Sequence, residues 1–174
     1  NLVSCSFDSV TVGINYAIMF NDTIDVWTTL PNGVTDSASV NDSLQLNYIA
    51  GYSGTVTIDP AGGSEFISFT DAINKLETYG VCGNVIIEVV DSIYVEQISF
   101  STFPGMTSSN TITFKSQSGI RENVILAYSA TGSVDNYVVK MEAVNNVSFE
   151  DITIWAQGST YAYGVYMLGT DDVT

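Results

Sequence analysis

The chain has 174 residues, 45% of them hydrophobic and only 13% charged, with 19 acidic residues against four basic ones and a net charge of -15. Nothing in that balance can neutralise a phosphate backbone or hold an anionic membrane surface, so nucleic acid and acidic lipid are excluded as partners. Ten tyrosines and eight phenylalanines supply ample core and argue against disorder, and no apolar run approaches the roughly 18 residues that span a bilayer.

Asn1 is neither an initiator Met nor the start of a charged-then-apolar leader, so any targeting segment is expected to lie outside this stretch. Residues 1–50 alternate apolar and polar in short runs: Val10–Ile14, Ile24–Trp27 and Leu44–Tyr48. Alternation with period 2 means strands with one buried face, and Pro31-Asn32-Gly33 and Asn41-Asp42 supply turns between them. Three or four strands are too few for a whole sandwich, so this segment reads as the end of an Ig-like domain or as a short β-rich prefix. Cys5 and Cys82 fit no metal spacing, and they either pair in an exported protein or remain two buried thiols.

Residues 51–84 read as a junction and a capping helix. Ile58-Asp59-Pro60-Ala61-Gly62-Gly63 cannot continue a central strand. Ser68 followed by Asp71 resembles a capping box, Phe69, Ala72, Ile73 and Leu76 share one helical face, and Gly80 supplies the stop. A single amphipathic helix before a stack of strands is expected to cover its open apolar end.

From Val85 the chain repeats at about 26 residues. Val139–Ser148 matches Val165–Thr174 position by position, so the chain is expected to stop in mid-coil and to belong to a larger protein. One column of inward residues is read as Ile87 and Val89, Ile112 and Phe114, Val139 and Met141, Val165 and Met167. A second is read as Ile98 and Phe100, Val124 and Leu126, Val147 and Phe149, then Val173; Ile152 and Ile154 suggest a third strand. Coils of this length with three faces indicate an all-β fold, a right-handed parallel β-helix over residues 85–174 behind its capping helix. Four such coils at about 4.8 Å spacing would stand roughly 20 Å tall.

Gly54–Ile58, Phe66–Leu76 and Gly80–Val85, continued by Tyr94–Ile98 and Asn110–Phe114, resemble the opening of a pectin-lyase-like parallel β-helix. They are similar in particular to large type IX-secreted surface proteins of Gram-negative bacteria. The resemblance covers about residues 51–174. It implies an extracellular or cell-surface location, dependence on a secretion machinery, and a C-terminal sorting domain beyond this stretch.

Enzymes of that fold mostly cleave acidic polysaccharides, using an Arg or Lys base with Ca²⁺, or two carboxylates flanking the bond. This chain has no His, and its basic residues are Lys75, Lys115, Arg121 and Lys140. Lys115 is expected to face Glu142 in a cross-strand ion pair, and Lys140 to share a face with Glu88 across Thr113. Asp171-Asp172 stands one coil above Asn145-Asn146, where an Asn/Asp ladder, a Ca²⁺ site or a catalytic pair are the three readings. Asp22, Asp25, Asp36 and Asp42 are solvated turn residues or a further Ca²⁺ site, without any recognised calcium spacing.

Trp155, Tyr161, Tyr163 and Tyr166 either pack against turns or offer a sugar-stacking surface for a carbohydrate partner. Five Asp-hydroxyl-apolar triplets, centred on Ser9, Thr23, Ser37, Ser43 and Ser92, mark turn-to-strand junctions or, by the same resemblance, O-glycan attachment sites. No catalytic residue and no cofactor beyond a candidate Ca²⁺ is assigned. The expected function is a non-catalytic adhesin stalk or ligand-presenting scaffold. The alternative is the N-terminal part of a polysaccharide lyase or glycoside hydrolase whose groove lies on later coils.

Overall fold

A computed structural model describes residues 22–27, 43–48 and 51–170. The chain divides into two compact units, Asn1–Ile49 and Ala50–Thr174. In the first, β1 (Asp22–Trp27) and β2 (Ser43–Tyr48) pair antiparallel, with Val26 opposite Leu44 and Asp25 opposite Gln45. Gln45 Nε2 donates to Asp25 Oδ1 at 2.8 Å. Val26 and Leu44 are 49% and 64% exposed, whereas the alternation assigns them to a buried face. The strand expected at Val10–Ile14 lies outside the described residues.

The second unit is mostly β, with parallel sheets and one helix. Its elements are β3 (Tyr52–Ile58), α1 (Phe69–Tyr79), β4 (Val81–Val89), β5 (Ser92–Val95), β6 (Ile98–Phe100) and β7 (Ile112–Ser116), followed by β8 (Val124–Tyr128), β9 (Val139–Glu142), β10 (Val147–Glu150), β11 (Thr153–Ala156) and β12 (Val165–Leu168). Three parallel sheets result: β3-β4-β7-β10, β5-β8-β11 and β6-β9-β12. Successive strands visit these sheets in turn, β4, β5, β6, then β7, β8, β9, then β10, β11, β12. The corners stack as well: Val85 N bonds Thr111 O, Ile112 N bonds Asn146 O, Glu96 N bonds Ala127 O and Gln157 N bonds Tyr128 O.

The inward residues of β4, β6, β7, β8 and β9 are those expected, but Val165 and Met167 on β12 are 44% and 48% exposed, Val173 lies outside the described residues, and the columns are different. Val85, Ile112 and Val147 align in the first sheet, Tyr94, Leu126 and Ile154 in the second, Ile98, Val139 and Val165 in the third. The two columns read from sequence therefore mix the sheets. The steps from Val139 to Val165 and from Val85 to Ile112, 26 and 27 residues, match the repeat of about 26, whereas Ile112 to Val147 and Ile98 to Val139 span 35 and 41 because loops of unequal length join those strands. The sequence also starts the stack at Val85, yet β3 already pairs with β4 from Gly54↔Val85 to Ile58↔Val89. Residues assigned to the junction thus include a full edge strand, and α1 is the crossover between two parallel neighbours.

Helix α1 forms as the sequence indicates. Ser68 Oγ accepts from Asp71 N at 3.0 Å, and Asp71 Oδ2 accepts from Ile67 N, one residue earlier than a standard capping box reaches. A second cap comes from far along the chain. The Glu96 carboxylate accepts from Phe69 N, Thr70 N and Thr70 Oγ1 at 3.3, 2.9 and 2.6 Å, placing negative charge at the positive end of the helix. Glu96→Gln is expected to lower stability by about 1 kcal/mol, read as a lower urea midpoint at unchanged slope; an unshifted midpoint would refute this role.

The face Phe69, Ala72, Ile73 and Leu76 is buried. Phe69 lies edge-on to Tyr94 and stacks on Phe114, which stacks in turn on Phe149 and meets Phe100 edge to face. Burial pushes the Tyr94 phenol up to about 12, and Asp59, Glu96 and Asp91 add to the rise; Tyr94 Oη donates to Val90 O at 2.8 Å. Burial, then the Glu65 hydrogen bond, raises Tyr52 too. Both tyrosines hold their protons more tightly folded than unfolded, so stability is full below about pH 10 and falls as pH rises toward 12. Tyr94→Phe should flatten that alkaline loss in urea midpoints measured from pH 8 to 11.5, and an unchanged slope would contradict it.

Candidate ligand-binding cavity

A cavity lined by aromatic, amide, hydroxyl and ammonium side chains is built on the third sheet. In β9 the buried residues are Val139 and Met141, so Lys140 and Glu142 face outward. Strand β12 pairs in register beside it, which puts Tyr166 next to Lys140 and Leu168 next to Glu142. Lys140 Nζ reaches Glu142 Oε2 at 2.6 Å, and that hydrogen bond raises the ammonium's pKa and keeps it charged.

The loop before β9 is pinned from three sides. The Asp135 carboxylate accepts from Gly132 N, Thr131 N and Thr131 Oγ1. Gln97 Nε2, just before β6, donates to Asp135 O and Tyr137 O at 2.7 and 2.9 Å. Asn136 Oδ1 accepts from Tyr163 N at 3.2 Å, while Val138 N donates to Tyr163 O. A cavity of about 420 Å³ opens between these segments, lined by Ser133, Val134, Asn136, Tyr137, Lys140, Tyr163 and Tyr166. Tyr163 and Tyr166 are 59% and 41% exposed, so their rings present free surface.

No known protein family matches this chain, and comparison with curated proteins and with solved structures returned no match either. The site therefore rests on its own geometry. Of the four aromatic residues read from sequence as a sugar-stacking surface, the fold brings Tyr163 and Tyr166 together. Tyr161 is half-buried, and Trp155 stands opposite Ala127 on β11 in the second sheet; neither lines the cavity. Tyr137, Asn136 and Lys140 were not singled out as ligand residues. A signal for Lys140 was present, since the repeat already aligns Lys140 with Tyr166.

A second cavity, of about 350 Å³, is lined by Thr102, Met106, Thr107, Ser108 and residues 143–146, without a charged or aromatic side chain. Asn146 takes a left-handed φ of 59° there and donates from Nδ2 to Thr107 O at 3.0 Å. The ladder partner and Ca²⁺ candidates Asp171 and Asp172 lie outside the described residues, as do Asp36 and Asp42. Among the described residues no group of three His, Cys, Asp or Glu could hold a metal ion. Among them, too, no helix is long and apolar enough to cross a membrane.

Each basic side chain has a carboxylate partner: Lys75 with Asp71, Lys115 with Glu150, Arg121 with Glu122 and Lys140 with Glu142. Lys115 pairs with Glu150 rather than Glu142 because β7 lies beside β10, not β9. For the same reason Lys140 is flanked by Ser99 and Tyr166 and shares no face with Glu88 and Thr113.

Of the five glycan candidates, Ser92 begins β5 half-buried, and Asp91 beside it accepts from Ser118 Oγ and Asn123 Nδ2 at 2.7 and 2.9 Å. Thr23 pairs with Asn47 and Ser43 with Trp27 in the β1–β2 ladder, and Ser9 and Ser37 lie outside the described residues. Cys82 is a free, exposed thiol that donates to Gly51 O, so it is not a buried one; Cys5 lies outside the described residues.

Proposed function

We propose that residues 50–174 form a right-handed parallel β-helix that serves as a non-catalytic, ligand-presenting scaffold of a large, type IX-secreted cell-surface protein. The cyclic visit of the chain to three parallel sheets supports the β-helix. Its β3–α1–β4 crossover joins parallel neighbours, and such crossovers are right-handed in nearly all proteins. Low charge and the resemblance over residues 51–174 support export to the cell surface.

The observation that carries the functional reading is the use made of the charged residues. All four cations neutralise neighbouring carboxylates, Lys115–Glu150 across β7 and β10 and the other three between residues close in sequence. Those pairs are spent locally rather than converging on a substrate bond.

Two measurements test the reading. The purified chain, incubated with neutral and acidic polysaccharides, is expected to release neither reducing ends nor unsaturated sugars; turnover would overturn the non-catalytic assignment. Antibodies to the folded chain are expected to label intact source cells. Labelling only after lysis would overturn the surface location.

A further inference from the structure

We propose that the cavity between the 131–137 loop and β12 is a binding site for a neutral saccharide, and this deepens the scaffold reading by naming its ligand class. Three features of the cavity carry the assignment. The exposed rings of Tyr163 and Tyr166 offer flat apolar faces with polar rims, the surface on which the C–H face of a pyranose packs. Beside Tyr166 the Lys140 ammonium, held at 2.6 Å by Glu142, lines the cavity as a donor. A sugar hydroxyl both donates and accepts, so adjacent hydroxyls can bond this ammonium and the tyrosine hydroxyls at once. Asn136 spends Oδ1 on Tyr163 N and keeps its amide hydrogens for a ligand.

Charge selects among sugars. Glu142 already neutralises Lys140, and the chain as a whole carries -15, so a uronic acid would meet no unpaired cation and a repulsive field. Lining chemistry selects against an apolar peptide, since Val134 is the one aliphatic residue of the wall. Preorganisation comes from the loop bonds of Asp135, Gln97 and Asn136, which hold the walls before any ligand arrives. A volume of about 420 Å³ falls within the range of small-molecule sites.

The test is a titration of the intact chain with cellobiose, maltose, lactose and mannobiose, alongside digalacturonate and a proline-rich peptide, followed by saturation-transfer NMR and calorimetry. At least one neutral disaccharide is expected to bind with a millimolar or tighter Kd. Tyr166→Ala should weaken it by about tenfold or more while Tyr166→Phe keeps it, because the ring face and not the hydroxyl does the packing. Trp155→Ala, on another sheet, should leave it unchanged. Circular dichroism confirms that each variant is folded, and Tyr163→Ala replaces Tyr166→Ala should the latter unfold.

No neutral disaccharide binding at about 10 mM, binding indifferent to both tyrosine variants, or preference for digalacturonate or the peptide would each overturn the site. Absence of binding without cleavage defeats the site and leaves the scaffold reading standing. Cleavage of a bound disaccharide keeps the site and defeats the scaffold reading.

Discussion

Phe114→Ala is expected to destabilise the second unit by about 3–5 kcal/mol. Phe114 is fully buried on β7, the inner strand of the first sheet between β4 and β10. Its ring is 5.6 Å from Phe69 of the helix, 5.2 Å from Phe149 on the neighbouring strand β10, and 5.7 Å from Phe100 of the third sheet. Truncation therefore opens a cavity at the meeting point of helix and sheets, and β strands on both sides hold the backbone so that it cannot collapse. Phe149→Ala, at a half-buried position on the edge strand β10, should cost clearly less. The measurement is a urea titration of both variants. A loss below about 1 kcal/mol for Phe114→Ala, or a larger loss for Phe149→Ala, would mean that the aromatic column does not carry the core.

Gly80→Ala should be almost as damaging, at about 3 kcal/mol, for a backbone reason. Gly80 has φ 75° and ψ -166°, a region open essentially to glycine alone. It closes α1 through its N–H to Leu76 O at 2.8 Å, and its carbonyl accepts from Tyr52 N at 2.9 Å, so helix end and β3 start depend on one residue. An added Cβ would also run into the carbonyl of Pro104. Gly54 supplies the control, because its φ of 77° is nearly the same and a Cβ there meets nothing within 4 Å. Gly54→Ala should cost only the conformational part, about 1–2 kcal/mol. Equal losses at both positions would show that the Pro104 contact contributes nothing.

Some elements were legible from local pattern alone. The capping Ser68, the buried face of α1 and the Gly80 stop all lie within a dozen residues of each other and need no distant partner. Alternation likewise picked out Ile87, Phe114, Leu126, Val139 and Met141 as inward, and all are buried. The helix cap from Glu96 was not legible, since the carboxylate arrives from 26 residues further along the chain than Thr70. Nor did the sequence show that the aromatic residues would divide between sheets, sending Trp155 to one and Tyr166 to another.

The division follows from the range of each interaction. By itself the sequence determined the β-rich class, the helix with both its ends, the inward side chains of β4, β6, β7, β8 and β9, and a repeat near the C-terminus. All of these follow from period-2 or period-3.6 geometry within one element. Tertiary structure alone decided which strands are neighbours, and with that the Lys115–Glu150 pair and the walls of the cavity. Parallel strands meet through crossover connections of varied length, so spacing along the chain sets no register between them. Lys115 meets Glu150, and Tyr137, Lys140 and Tyr166 meet around one cavity, only after β7 has been laid beside β10 and β9 beside β12.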